Sequence, residues 1–279
     1  MVKTVYAEFF VQRRIFVIDF FINLHPTVQA VAATVFTWGV TALGACVVFL
    51  FRNINKNIMD ATLGSAAGVM IAASFWSLLA PAIEMSTNLG QNPWLTVLIG
   101  FILGGGLLFS GDKILEKRLK KADSDRKKRV TMLIFSITLH NIPEGMAVGV
   151  AFGSLAYGLE GATLGGALML ALGIGLQNFP EGSAVSLPLL REGYSPKKAF
   201  IFGQLSGIVE PFSGFLGAIL VLKMRFLLPY LLAFAAGAMI YVVVEELIPE
   251  SQTNPRKDLM ALFTLIGFSI MMVMDVALG

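Results

Sequence analysis

Eight apolar runs, each close to twenty residues or longer, dominate this chain of 279 residues, and short charged or Pro-, Gly- and Asn-containing segments separate them. A helix needs about 20 such residues to cross the ~30 Å hydrocarbon core of a bilayer. Charged residues make up only 14 % of the chain, against about 25 % in soluble domains, so there is too little polar surface to cover a water-soluble fold. The fold class that follows is all-α: a polytopic membrane protein with eight transmembrane helices, at 27–51, 57–84, 93–115, 130–157, 160–190, 197–222, 226–250 and 258–279. The breaks fall at "RNINKN", "NLGQNPW", "REGYSPKK", "KMRFLLP" and "SQTNPRKD".

Residues 27–279 thus read as one eight-helix transmembrane domain, preceded by an N-terminal segment over 1–26. Within that segment 5–24 is apolar but interrupted by Gln12, Arg13, Arg14 and Asp19. An interfacial helix fits it better than a short extra span, and no small-residue cleavage site marks it as a signal peptide. Lysine and arginine orient the bundle. The loops after helices 1, 3, 5 and 7 carry sixteen of the 21 basic residues, and the opposite side carries five. Basic loops stay cytoplasmic, so both ends of the eight-helix core are expected outside, in a cytoplasmic (bacterial inner) membrane. The hydrophilic run 112–129 reads as a solvated cytoplasmic loop attracted to lipid phosphates. Nothing else supports nucleic-acid binding. The lone Cys46 excludes a disulfide framework and a cysteine-based zinc site.

Residues 139–146 read "LHNIPEGM" and residues 176–183 read "LQNFPEGS", 37 positions apart. Each places polar, helix-breaking residues inside an apolar span. Roughly ten apolar residues precede His140 and about eleven follow Gly145, which sets the motif near the bilayer midplane. An ionisable residue at that depth costs about 2.5–3.5 kcal/mol on insertion scales and by default marks function. His140 and Glu144, like Gln177 and Glu181, are one turn apart on one helix face. With Glu210 in helix 6 they bring three carboxylates to mid-depth. Such a group repels itself at low dielectric and must take up protons or a cation. No lysine or arginine accompanies these stretches, so a cationic ligand is expected. Imidazole beside carboxylates suits a divalent transition metal, whereas Mg²⁺ and Ca²⁺ favour oxygen alone. Pro143 and Pro180 cannot donate to the carbonyls of Leu139 and Leu176, which opens each helix beside the ligands. Met70 lies in a run of small residues and reads by spacing as packing.

Other functional classes fit less well. An intramembrane metalloprotease needs HExxH, which is absent, so no enzyme is expected. A receptor or assembly protein leaves the buried acids without a task. A proton-coupled transporter of another small solute uses buried acids, but leaves the duplicated His/Asn/Glu pattern without a role. A divalent-metal permease accounts for all of them.

At the two hexapeptides the chain resembles the ZIP (Zrt/Irt-like) family of divalent metal transporters. "HNIPEGMAVGVAFG" and "QNFPEGSAVSLPL" are similar to the family's paired signature, nearest its bacterial branch, and the likeness extends over residues 30–279. The resemblance implies a binuclear-type metal site whose ligands are Met70, His140, Asn141, Glu144, Gln177, Asn178, Glu181 and Glu210. It implies pathway roles for Asp60 at the outer end, and for Glu245, Glu246 and Asp275 towards the cytoplasmic exit. Asn178 stands where some relatives have aspartate, so the second metal position is weaker or only one ion is held. The 112–129 loop lacks the histidines that many relatives carry there. The implied activity is uptake of Zn²⁺ (with Fe²⁺, Mn²⁺ and Cd²⁺ as further candidates) into the cytoplasm by alternating access, helices 1, 4, 5 and 6 moving against 2, 3, 7 and 8. The metal is then substrate, with no separate cofactor. The expected partners are divalent metal ions and membrane lipids, with room for a homodimer.

Overall fold

The computed structural model describes residues 21–50, 55–119, 125–158 and 162–278. The expected interfacial helix lies mostly outside these residues, as does the middle of the basic loop. Among the described residues the chain forms eight helical rods and no strand. They are α1 (Pro26–Leu50), α2 (Lys56–Asn88), α3 (Pro93–Leu119), α4 (Asp125–Ala156), α5 (Leu164–Arg191), α6 (Pro196–Ile219), α7 (Val221–Ser251) and α8 (Lys257–Leu278). Six are long and apolar enough to cross a membrane. The other two, α4 and α5, are those in which the hexapeptides dilute the apolar content.

Local chemistry sets the rod ends. Pro26 and Pro196 occupy first-turn positions where the missing N–H costs nothing. Side chains of His25, Asn55, Thr163 and Ser195 accept from first-turn amides, at 3.2, 2.9, 3.0 and 3.4 Å respectively. Gly193 closes the tight turn after α5 at φ 82°, a left-handed conformation that favours glycine. Two rods contain a π-helical turn, Ser74–Leu79 in α2 and Val243–Leu247 in α7. Each lies just before a proline, Pro81 and Pro249. A proline ring clashes with the carbonyl four residues back, and the wider turn, with Ala80 bonding to Phe75 and Ile248 to Val243, gives it room.

The rods pack as two groups. α1, α4, α5 and α6 share one set of contacts, and α2, α3, α7 and α8 another; the groups meet chiefly along α4–α7 and α2–α5. Glycines make the contacts within each group close. A Cβ added at Gly182 (α5) would sit 2.0 Å from the Thr41 carbonyl oxygen of α1, and one at Gly149 (α4) 2.1 Å from that of Gly214 in α6. In the second group one at Gly68 (α2) would sit 1.9 Å from the Thr264 oxygen of α8, and one at Gly237 (α7) 2.0 Å from the Phe101 oxygen of α3. Among the described residues, every glycine at which an added Cβ would come within 3.0 Å of another helix packs inside its own group.

Three expectations change. The segment "KMRFLLP" is no break: the chain pauses only at Leu220, and α7 begins at Val221 with Lys223, Arg225 and Pro229 inside it. α6 instead breaks at Ile208, between Pro196–Gly207 and Val209–Ile219, two residues before Glu210. Pro143 and Pro180 do not interrupt α4 and α5, which stay helical through both. One absent N–H removes one bond, and two residues beyond each proline Gly145 and Gly182 lock the helix against α6 and α1 respectively.

Candidate metal centre

Halfway along α4 and α5 the two hexapeptides face one another. His140, Asn141, Glu144, Gln177, Asn178, Glu181 and Glu210 are all fully buried. His140 Nε2 lies 3.1 Å from Glu181 Oε2. One ligand atom each from His140, Glu144 and Glu181 fall within 4.8 Å of one another, a spacing one ion can bridge. Gln177 donates its amide to Glu144 Oε1 across the α4–α5 interface. A second set of contacts surrounds Glu210: Asn178 Nδ2 donates to its Oε1 and Oε2 at 2.9 and 3.0 Å, and the Thr37 hydroxyl donates to Oε2.

The direction of these bonds decides what the centre can hold. All three amides use their N–H groups on protein acceptors: Gln177 on Glu144, Asn178 on Glu210 and the Thr37 carbonyl (3.2 Å), Asn141 on the Ser206 carbonyl (3.0 Å). Their carbonyl oxygens, together with His140 Nδ1, Glu144 Oε2 and Glu181 Oε1, are buried with no hydrogen-bonding partner. Buried polar atoms are normally satisfied, and leaving so many unmatched in one place costs about 1–3 kcal/mol each. Every one is a lone-pair donor, the atom type a cation requires. Among the described residues no lysine or arginine is buried, so no protein charge answers the carboxylates.

Met70 of α2 is fully buried in a core cluster that also takes in Ala147 of α4 and Ala184 of α5. The sequence-predicted pathway acids lie nearer the helix ends. Asp60 is buried near the start of α2, where Asn254 Nδ2 donates to it at 2.8 Å and Lys56 Nζ lies 3.4 Å away. Its neighbours join the ends of α5 and α7, the end that the basic loops mark as cytoplasmic. Asp275 sits at the opposite end, accepting from Ser77 Oγ at 3.0 Å. In that orientation the two aspartates exchange the ends that the resemblance implied: α2 and α8 run parallel, with Gly64 beside Met260 and Gly68 beside Thr264, so Asp60 near the start of α2 and Asp275 near the end of α8 lie at opposite ends. Glu245 and Glu246 ride the π turn of α7 in the half nearer Asp60. Sequence reasoning missed Thr37. Its signal was the Thr34, Thr37, Thr41 series on one face of α1, all buried.

A cavity of ≈ 430 Å3 enters between the groups at the Asp275 end, lined by Ser77 and Glu84 of α2, Ala147 and Ser154 of α4, and Arg225 of α7. Ala147 is one turn beyond Glu144, so this cavity leads towards the centre.

Fold and site together define an α-helical integral membrane protein with a buried residue group suited to a metal cation. The ZIP zinc transporter family model matches residues 116–275. The chain is 39 % identical to human zinc transporter ZIP11, over 90 % of this chain and 97 % of that protein. It is 34 % identical to zinc transporter ZIPB of Bordetella bronchiseptica (86 % and 78 % covered) and 32 % to zinc transporter ZupT of Streptococcus mutans (84 % and 91 %). The chain belongs to the ZIP zinc transporter family, whose members are transporters and not enzymes.

Proposed function

We propose that this protein carries Zn²⁺ into the cytoplasm, binding it between α4 and α5 at the bilayer midplane. The observation that carries the reading is the convergence of His140, Glu144 and Glu181 within one ion's reach, with unmatched lone pairs and no buried lysine or arginine among the described residues. The carboxylates anchor the ion, and the imidazole favours a borderline metal over Mg²⁺ or Ca²⁺. Carbonyl oxygens of Gln177, Asn141 and Asn178 are available to complete the shell; Met70 and Glu210 enter the ligand set on the family resemblance. Fe²⁺, Mn²⁺ and Cd²⁺ share enough of this chemistry to be carried as well.

Transport follows by alternating access, α1, α4, α5 and α6 moving as one body against α2, α3, α7 and α8. The glycine contacts support it: backbones interlock within each group and not between them. The cavity at the Asp275 end supplies the entry side, with Ser77, Glu84 and Asp275 near its mouth. Asp60, Glu245 and Glu246 lie towards the exit. The setting is a bacterial cytoplasmic membrane, in contact with its lipids and compatible with a homodimer.

Zn²⁺ uptake into liposomes holding the purified chain, beside a Glu144→Ala, Glu181→Ala variant, tests the assignment. Uptake by the unmodified chain and none by the variant is expected. Equal uptake by both would remove the site, and uptake by neither would remove the transport reading.

A further inference from the structure

Glu210 has the charge of a metal ligand and the contacts of an anchor. It stands in the first turn after the α6 break, and its carboxylate meets side chains of α1 and α5. Oε2 accepts from the Thr37 hydroxyl, and both oxygens accept from Asn178 Nδ2. The Thr37 carbonyl accepts from the same nitrogen. Thr37 therefore holds both partners: its hydroxyl fixes Glu210, and its carbonyl fixes Asn178. Gly207 leaves the notch in which the carboxylate fits, since a Cβ there would lie 3.0 Å from Glu210 Oε1 and 3.0 Å from Thr41 Oγ1.

The consequence falls on Asn178. An amide has two N–H bonds, and here both are committed to Glu210 and Thr37, so its acceptor end is left without a protein partner. Its orientation is thus imposed from outside the ligand cluster. The Thr37 hydroxyl has a single hydrogen and two acceptors within range, Glu210 and the Thr34 carbonyl at 3.0 Å. A carboxylate is the stronger acceptor, which favours the bond that serves the centre. Groups of this kind, one bond removed from a metal, typically alter affinity about 10–100-fold when changed.

We propose that Thr37 is a positioning residue of the zinc centre: through Glu210 it fixes the Asn178 amide with its carbonyl oxygen free for the ion. This rests on the zinc reading above. The test is Zn²⁺ affinity of the purified full chain in detergent, by calorimetric titration, for the unmodified protein, Thr37→Val and Thr37→Ser. Valine keeps the shape and removes the hydroxyl; serine keeps the hydroxyl. Affinity is expected to be lower by about 10–100-fold in Thr37→Val than in the unmodified chain, and restored in Thr37→Ser. Undiminished affinity in Thr37→Val, or no recovery in Thr37→Ser, would overturn the role of Thr37. Absence of any zinc binding by the unmodified chain would instead strike the zinc reading itself.

Discussion

The guanidinium of Arg191, at the last turn of α5, pairs with the carboxylate of Glu250, at the last turn of α7, so one ion pair ties the two helix groups together at the end nearest Asp60. The cavity between the groups lies at the other end. The pair is partly exposed, 42 % for Arg191 and 25 % for Glu250, and contacts of this type contribute about 0.2–1 kcal/mol.

That energy shifts a two-state balance by up to about fivefold. Arg191→Ala should therefore favour closure of the cavity. In a Cys46→Ser background, labelling of a Ser154→Cys probe by an impermeant maleimide should slow by up to about fivefold. The exchange Arg191→Glu with Glu250→Arg should restore it. An unchanged labelling rate in Arg191→Ala would show that the pair does not hold the arrangement.

Removing the imidazole takes away the ring-nitrogen ligand and leaves a set dominated by oxygen. His140→Ala should weaken Zn²⁺ binding by at least about 10–100-fold, the loss that changes one bond further out already cause. Mn²⁺, content with oxygen ligands, should lose less. Calorimetric titration with both metals gives the ratio, and equal losses would assign His140 a packing role.

Protons and metal compete for the same lone pairs, because carboxylate and imidazole ligands bind metal only when deprotonated. The sign is fixed: lowering pH fills the ligands with protons and weakens Zn²⁺ binding. Between about pH 7.5 and 5.5 the half-saturating free Zn²⁺ for uptake should rise steadily. A constant value over that range would mean that these groups do not receive the ion.

The interlocked backbones leave no room for a methyl group. Gly182→Ala would set a Cβ 2.0 Å from the Thr41 oxygen and 2.9 Å from the Ala45 nitrogen, so α1 and α5 must separate. Overpacking of this kind costs about 1–3 kcal/mol, and more where backbone must move. Gly173→Ala, on the same helix with nothing within 4 Å, should be neutral or slightly stabilising, since alanine favours helix. Thermal unfolding in detergent compares them, and equal midpoints would contradict the close approach.

The repeated hexapeptide carried most of the site into view, because ionisable residues are costly inside an apolar span and their i, i+4 spacing fixes a shared face. What stayed hidden depends on contacts between distant segments. Thr37 is an ordinary helix residue until α6 brings Glu210 against it. Prolines 143 and 180 looked like breaks because local chemistry says so, yet tertiary packing carried both helices through. The π turns before Pro81 and Pro249 show the opposite outcome, where the helix widened instead. Lys223 and Arg225 suggested a loop, but a basic pair at the end of a span can equally begin the next helix.

The one-way orientation of the amides reaches beyond holding a bare ion. With the N–H groups of Gln177, Asn178 and Asn141 turned outward to protein acceptors, the interior offers oxygens and a ring nitrogen and almost no hydrogen to share. A hydrated cation entering from the cavity can keep part of its water shell, because each water finds acceptors for its hydrogens. Chloride or phosphate, which need donors, find none offered by these three amides. The centre can therefore sort by sign of charge while the visitor is still wet, and by ligand preference only after the water has gone.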